Sequence, residues 1–214
     1  MKLIIFDLDG TIINSLSDLA IACNYVMKQH GYPEHPLADY NNFVGNGISK
    51  LIELALPEEH RDKEYVTQIR AEFIEYYKQH IHDKTYPYEG IKDLLKELAN
   101  RGIMIAVASN KFQSGVDELL EYFFPEINFV AKMGQSDNMP VKPNPTMVYT
   151  IIDKAGASKA DTLYVGDSNV DMKTARNAGL LPVGVTWGFR TREELIENGA
   201  WQIVDKPAEI LSLI

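Results

Sequence analysis

Two carboxylates two residues apart, Asp7 and Asp9, follow the apolar run Leu3-Ile4-Ile5-Phe6 and stand directly before Gly10 and Thr11. A spacing of two points both side chains the same way where strand geometry persists. Like charges held that close are costly unless a cation or a shared proton lies between them. Gly10 lets the backbone approach a ligand closely, and Thr11 adds a hydroxyl. On these residues alone a surface turn is the competing reading, because Asp-Gly is a common turn pair.

Further along, Ser109 and Asn110 follow a second apolar run, where a serine can donate to a phosphoryl oxygen or simply cap a helix. Lys142 stands beside Pro143 and close to Pro145, which stiffen the chain around a cation able to clamp an anion. The segment Gly166-Asp167-Ser168-Asn169-Val170-Asp171 brings a second carboxylate pair. Hard oxygen ligands of this kind suit Mg²⁺, although Asp171 could merely cap the next helix. Each motif is modest alone. Their order is the argument: carboxylate pair, hydroxyl, lysine, carboxylate pair, each just after an apolar run.

Those runs are the elements that must position them. Leu3–Phe6, 103–108, 129–131, 162–165 and 181–185 are short and rich in Ile and Val, and they predict buried strands. Helical spacing lies between them: Ile91, Leu94, Leu95, Leu98; then Val116, Leu119, Leu120, Phe123; then Val148, Ile151, Ile152, Ala155. Gly102, Gly156 and Gly179 follow three helical stretches as closing residues. The alternation predicts an α/β fold, a doubly wound, mainly parallel sheet with helices on both faces. Such sheets bind ligands beyond the carboxyl ends of their strands, where the candidate residues stand.

Residues 15–84 break the rhythm. They carry only helical periodicity, at Leu16 to Met27, Ile48 to Ala55 and Ile69 to Tyr77, with Ser15, Ser17 and Asp18 available as caps. The expected organisation is a core of residues 1–14 and 85–214, with an all-helical cap domain inserted at 15–84.

The 214 residues carry a net charge of −9, which disfavours nucleic acid as a partner but not a small phosphorylated metabolite. The single cysteine, Cys23, forbids an internal disulfide and sits among apolar neighbours as a buried thiol. No apolar run approaches the ~20 residues of a membrane span, and the N-terminal run is too short for a signal peptide. A cytoplasmic location and no membrane partner are the expectation.

With these motifs assembled, the sequence resembles the haloacid dehalogenase superfamily of phosphohydrolases: Asp7-Leu8-Asp9-Gly10-Thr11, Ser109, Lys142, and Gly166-Asp167 with Asp171. The helical insert resembles that family's type 1 cap. Phe43-Val44-Gly45-Asn46-Gly47 and Val185-Thr186-Trp187-Gly188-Phe189 resemble its phosphoglycolate phosphatase group. Asn14 stands where many relatives have Asp, at the cap connection.

The resemblance implies a phosphatase in which Asp7 is the nucleophile and Asp9 the general acid and base. Mg²⁺ would be held by Asp7, Asp167 and the backbone carbonyl of Asp9, with Asp171 in an outer position. Gly10, Thr11, Ser109, Asn110 and Lys142 would bind the phosphoryl group, and Gly45, Asn46 and Gly47 would face the substrate from the cap. Arg190 reads as a surface residue, and Trp187 and Phe189 as packing residues. Other chemistries of the superfamily compete. A sugar phosphomutase would need a cap lysine or arginine that this sequence does not clearly offer, a dehalogenase needs neither Asp9 nor the metal, and phosphonate cleavage would rest on Lys50 alone. A pyrophosphatase or nucleotidase would keep the same reaction core. From another class, a non-catalytic phosphate-binding protein would retain the fold.

Overall fold

Leu3–Phe6 forms strand β1, with all four side chains buried. A strand covered on both faces must be apolar at every position, which is why it reads as a run and not an alternation. In a computed structural model of the chain, which describes residues 1–136 and 139–214, β1 lies in the middle of a six-stranded parallel sheet.

After β1 the chain forms the short strand β2 (Ile13–Asn14), then helices α1 (Leu16–Gln29), α2 (Leu37–Phe43), α3 (Ile48–Ala55) and α4 (Lys63–Gln79). It returns through β3 (Tyr86–Pro87) to α5 (Ile91–Asn100), β4 (Met104–Phe112), α6 (Gln113–Phe123) and β5 (Phe129–Gln135). Then follow α7 (Thr146–Ala155), β6 (Thr162–Gly166), α8 (Asn169–Ala178), β7 (Leu181–Val185), α9 (Arg192–Glu197) and β8 (Gln202–Val204).

The sheet order is β5-β4-β1-β6-β7-β8, so the winding reverses at β1. Leu3 to Phe6 pair with Met104 to Val107 on one side and with Thr162 to Val165 on the other. Side chains alternate between two cores. Ile4, Phe6, Ile105, Val107, Leu163 and Val165 join the one that runs on into the helical insert. Leu3, Ile5, Ala106, Ala108 and Tyr164 join the one covered by α7 and α8. The crevice at this reversal is where such sheets hold their ligands.

The structure differs from the sequence reading at several places, among them the short elements β2, β3 and α9, which the sequence does not announce. β4 runs on to Phe112, past the expected end at Ala108, with a shift of pairing register between those residues. β5 likewise reaches Gln135. β8 has only three residues, too few to show a period. α2 buries one side chain, Tyr40, and so leaves no apolar stripe to recognise.

Residues 16–79 hold no strand. The entry and exit of this segment, β2 and β3, pair antiparallel as a two-stranded ribbon. Asp18, expected as a helix cap, ties the exit instead. Its carboxylate accepts from Lys84 N (2.9 Å), Thr85 N (2.8 Å) and Thr85 Oγ1 (2.8 Å).

Candidate active site

The hydrogen bonding of β1 continues one residue past its end, where Asp7 N donates to Val165 O at 2.9 Å. The chain then turns sharply, with the amides of Thr11, Ile12 and Ile13 all directed at Leu8 O. Gly10 holds φ +88°, and a Cβ there would run into the Asp167 carboxylate. This turn places Asp7 and Asp9 at the mouth of the sheet but sends their side chains to different partners.

Asp7 Oδ1 lies 2.8 Å from Lys142 Nζ. The same ammonium reaches Asp171 Oδ1 at 2.8 Å and Tyr164 Oη at 3.2 Å, so its three N–H donors are all engaged. Asp171 is held further by Ser168, whose Oγ donates to Oδ2 at 2.6 Å and whose backbone N donates at 3.2 Å. This is the capping box of α8, so the cap reading of Asp171 is right and incomplete: one oxygen caps the helix while the other fixes Lys142.

Asp167 follows β6 and accepts from Phe189 N at 2.7 Å. Gly188 presses against it, because a Cβ there would collide with Asp167 Cβ and with Gly10 O. Asp7, Asp167 and Asp171 each bring a carboxylate oxygen within 4.8 Å of the others, all buried. Burial raises the Asp7 carboxyl well above its ordinary range; the Asp171 charge adds to this and Lys142 opposes it. Burial, then the Asp171 charge, pushes Asp167 up to about 7. Among the described residues, Lys142 alone is ion-paired with this group, and the buried Asn169 Oδ1 has no hydrogen-bond partner. An excess of buried negative charge made only of hard oxygens fits a Mg²⁺ ion, which would relieve it.

Asp9 faces the other way. Its carboxylate accepts from Ser15 Oγ at 2.5 Å and from Lys111 Nζ at 3.0 and 3.3 Å. Lys111 Nζ also donates to Tyr77 Oη, on α4, at 2.8 Å. The split leaves Asp7 with the metal-type cluster and Asp9 free of it.

A cavity opens over both aspartates, with about 410 Å³ of empty space that includes open solvent. Its floor is Asp7, Asp9, Ser109, Asn110 and Lys111; its opposite wall is Leu19, Val44, Gly45, Gly47, Ile48 and Leu51 from the insert. Asn110 clips three segments together. Its Nδ2 donates to Gly45 O (3.0 Å) and Lys142 O (3.2 Å), and its Oδ1 accepts from Lys142 N (2.8 Å). Its amide is therefore occupied in positioning Lys142 and the cap-side loop.

The structure thus gathers Asp7, Asp9, Ser109, Asn110, Lys142, Asp167 and Asp171, together with Gly45 and Gly47. Asn46 is exposed and lines no part of the cavity. Thr11 is buried with its hydroxyl 3.5 Å from Asp167 Oδ1, and its carbonyl accepts from Trp187 Nε1 at 2.9 Å. Neither Thr11 nor Gly10 lines the cavity. Lys50 is paired with Glu53 at 2.7 Å on the surface. The surface reading of Arg190 is wrong: its side chain is 8% exposed. Its guanidinium donates to Val44 O at 2.9 Å, joining the loop after β7 to the insert. Reasoning from the sequence misses Lys111 and Tyr77. The signal available is a lysine next to Ser109 and Asn110, on a strand whose extra length turns it inward.

Comparison with known proteins shows what the whole chain is similar to. The family model described as "Haloacid dehalogenase-like hydrolase" matches residues 4–185. A phosphoglycolate phosphatase of Aliivibrio fischeri is 32% identical over 219 aligned positions, covering 100% of this chain and 96% of that protein. A phosphoglycolate phosphatase of Pasteurella multocida is 31% identical, with 100% and 98% covered. The crystal structure of a Lactobacillus delbrueckii subsp. bulgaricus protein assigned as a phosphoglycolate phosphatase superposes with a TM-score of 0.94 at 32% identity, covering 100% of this chain and 98% of that one.

Proposed function

The chain belongs to the haloacid dehalogenase-like hydrolase family, as a phosphatase, and on that premise we propose that it hydrolyses a small phosphate monoester, phosphoglycolate being the leading candidate, with Mg²⁺ and through an aspartyl-phosphate on Asp7. The observation that carries this is the division of labour between the two aspartates. Asp7 sits with Lys142, Asp167 and Asp171, while the Asp9 side chain is turned away from them to Ser15 and Lys111.

In the first step an Asp7 carboxylate oxygen attacks phosphorus, and the bond from phosphorus to the ester oxygen breaks. Asp9 gives its proton to the departing alkoxide. In the second step Asp9 takes a proton from water as the water oxygen attacks phosphorus. The bond to Asp7 breaks, releasing inorganic phosphate and restoring the Asp7 carboxylate and the protonated Asp9. Lys142 and Ser109 stabilise the equatorial phosphoryl oxygens, where charge spreads in the transition state.

Asp7, Asp167 and the backbone carbonyl of Asp9 would hold Mg²⁺, with Asp171, already committed to Lys142 and Ser168, outside them. When bound, the ion neutralises the charge on the phosphoryl oxygens and on the acidic cluster. Residues 15–84 act as the cap, closing the cavity with an apolar wall that excludes water. The competing phosphomutase reading needs a cation on that wall to hold a sugar phosphate in two orientations, and the lining from the insert supplies only apolar residues and glycines.

Hydrolysis of p-nitrophenyl phosphate tests this. Wild type should turn over only with Mg²⁺, and Asp7→Asn should lose activity by at least about 10³-fold. Metal-independent turnover, or an active Asp7→Asn, would overturn the mechanism.

A further inference from the structure

The charges around the cavity are unevenly placed. Lys142 lies behind Asp7, outside the cavity lining, and is fully engaged by Asp7, Asp171 and Tyr164. The insert's wall, Leu19, Val44, Gly45, Gly47, Ile48 and Leu51, offers no charged side chain and no hydroxyl to a leaving group. Among the described residues the cavity lining carries one cation, Lys111, which is 5% exposed and stands beside Asp9, the group assigned to the leaving oxygen. Its Nζ is held from two sides, by Asp9 and by Tyr77 of α4. It is thus rigid, dehydrated and within reach of both core and insert.

A sugar needs partners for several hydroxyls, and this wall has none. A short leaving group with a second negative charge needs one buried cation a few atoms from phosphorus, next to the acid that protonates the bridging oxygen. Lys111 fills that description. We infer that Lys111 is the specificity-determining residue of this site, pairing with a carboxylate on the leaving group, so that the enzyme favours short phosphorylated hydroxy acids over uncharged esters. The inference rests on the phosphatase reading above and deepens it by naming the residue that selects the substrate's leaving group. A charge-assisted hydrogen bond in a buried site is worth about 10- to 100-fold in selectivity.

The test compares kcat/KM for 2-phosphoglycolate with kcat/KM for its uncharged counterparts, 2-phosphoglycolamide and ethyl phosphate, in wild type, Lys111→Met and Lys111→Arg. The ratio of the two values is the readout, because any general effect of the substitution on Asp9 cancels in it. Wild type should favour the carboxylate by about 10- to 100-fold, Lys111→Met should bring the ratio near one, and Lys111→Arg should restore part of it. A wild-type ratio near one, or a ratio unchanged in Lys111→Met, overturns the inference while the phosphatase reading stands. No Mg²⁺-dependent hydrolysis of any of the three esters overturns both. Should Lys111→Met fail to fold, inhibition of the wild type decides: 3-phosphonopropionate should bind at least about tenfold more tightly than propylphosphonate. Equal inhibition overturns the inference.

Discussion

At the scale of single residues, Asp167 sets a pH dependence that can be worked out in sign. Its carboxyl is pushed up to about 7 by burial and the Asp171 charge, and Asp7 moves the same way. Between about pH 4 and 7 the unfolded chain has released this proton and the folded, metal-free chain retains it. The stability that the protonated form contributes is therefore fully present below the unfolded value and is lost as pH rises through about 7. A metal ligand must be ionised, so binding of Mg²⁺ displaces that proton. Mg²⁺ affinity should rise by up to about tenfold per pH unit below 7 for each proton displaced, and level off above it. Measured as the shift in Tm at fixed Mg²⁺, the stabilisation should be small at pH 5.5 and large at pH 8. Asp167→Asn should lose it at both. A shift independent of pH would contradict this picture of the acidic cluster.

At the scale of elements, the strand ends decide what a residue can do. Leu3 to Phe6, Thr162 to Val165 and Leu181 to Val185 are legible as strands in the sequence because burial on both faces leaves mostly apolar residues. The same runs place Asp7 and Asp167 at the mouth of the sheet. What stays hidden depends on contacts distant in sequence. Arg190 looks like a surface arginine in a polar segment, and only its contact with Val44, 146 residues away, takes it inside. Lys111 sits past the apparent end of its strand, and its partners Asp9 and Tyr77 are 102 and 34 positions away. Gly188 is equally silent in sequence. It lies where the loop after β7 passes between Asp167 and Gly10, with no room for a methyl group. Gly188→Ala should displace that loop, costing about 1–3 kcal/mol of stability by overpacking. Mg²⁺-dependent activity should fall at least about tenfold, since small displacements of reacting groups carry large costs. Full activity with an unchanged Tm would show that the loop does not need to be this close.

At the scale of the whole molecule, one continuous hydrophobic core runs from one face of the sheet into the helical insert, and a two-stranded ribbon joins the two. In the proposed mechanism the reacting groups come from the sheet and the apolar wall from the insert, so the chemistry and the choice of leaving group would be built by different parts of the chain. A net charge of −9 disfavours polyanions as partners, while the proposed site gathers two buried cations, Lys142 and Lys111. All of this turns on Asp7 becoming covalently phosphorylated. The direct measurement is to quench the enzyme during turnover of 2-phosphoglycolate with Mg²⁺, reduce with borohydride, and map the peptides by mass spectrometry. An aspartyl-phosphate is reduced to homoserine, so position 7 should carry homoserine, and only when substrate and metal are both present. Turnover with position 7 left as aspartate under those conditions, or homoserine at another aspartate, would contradict the account.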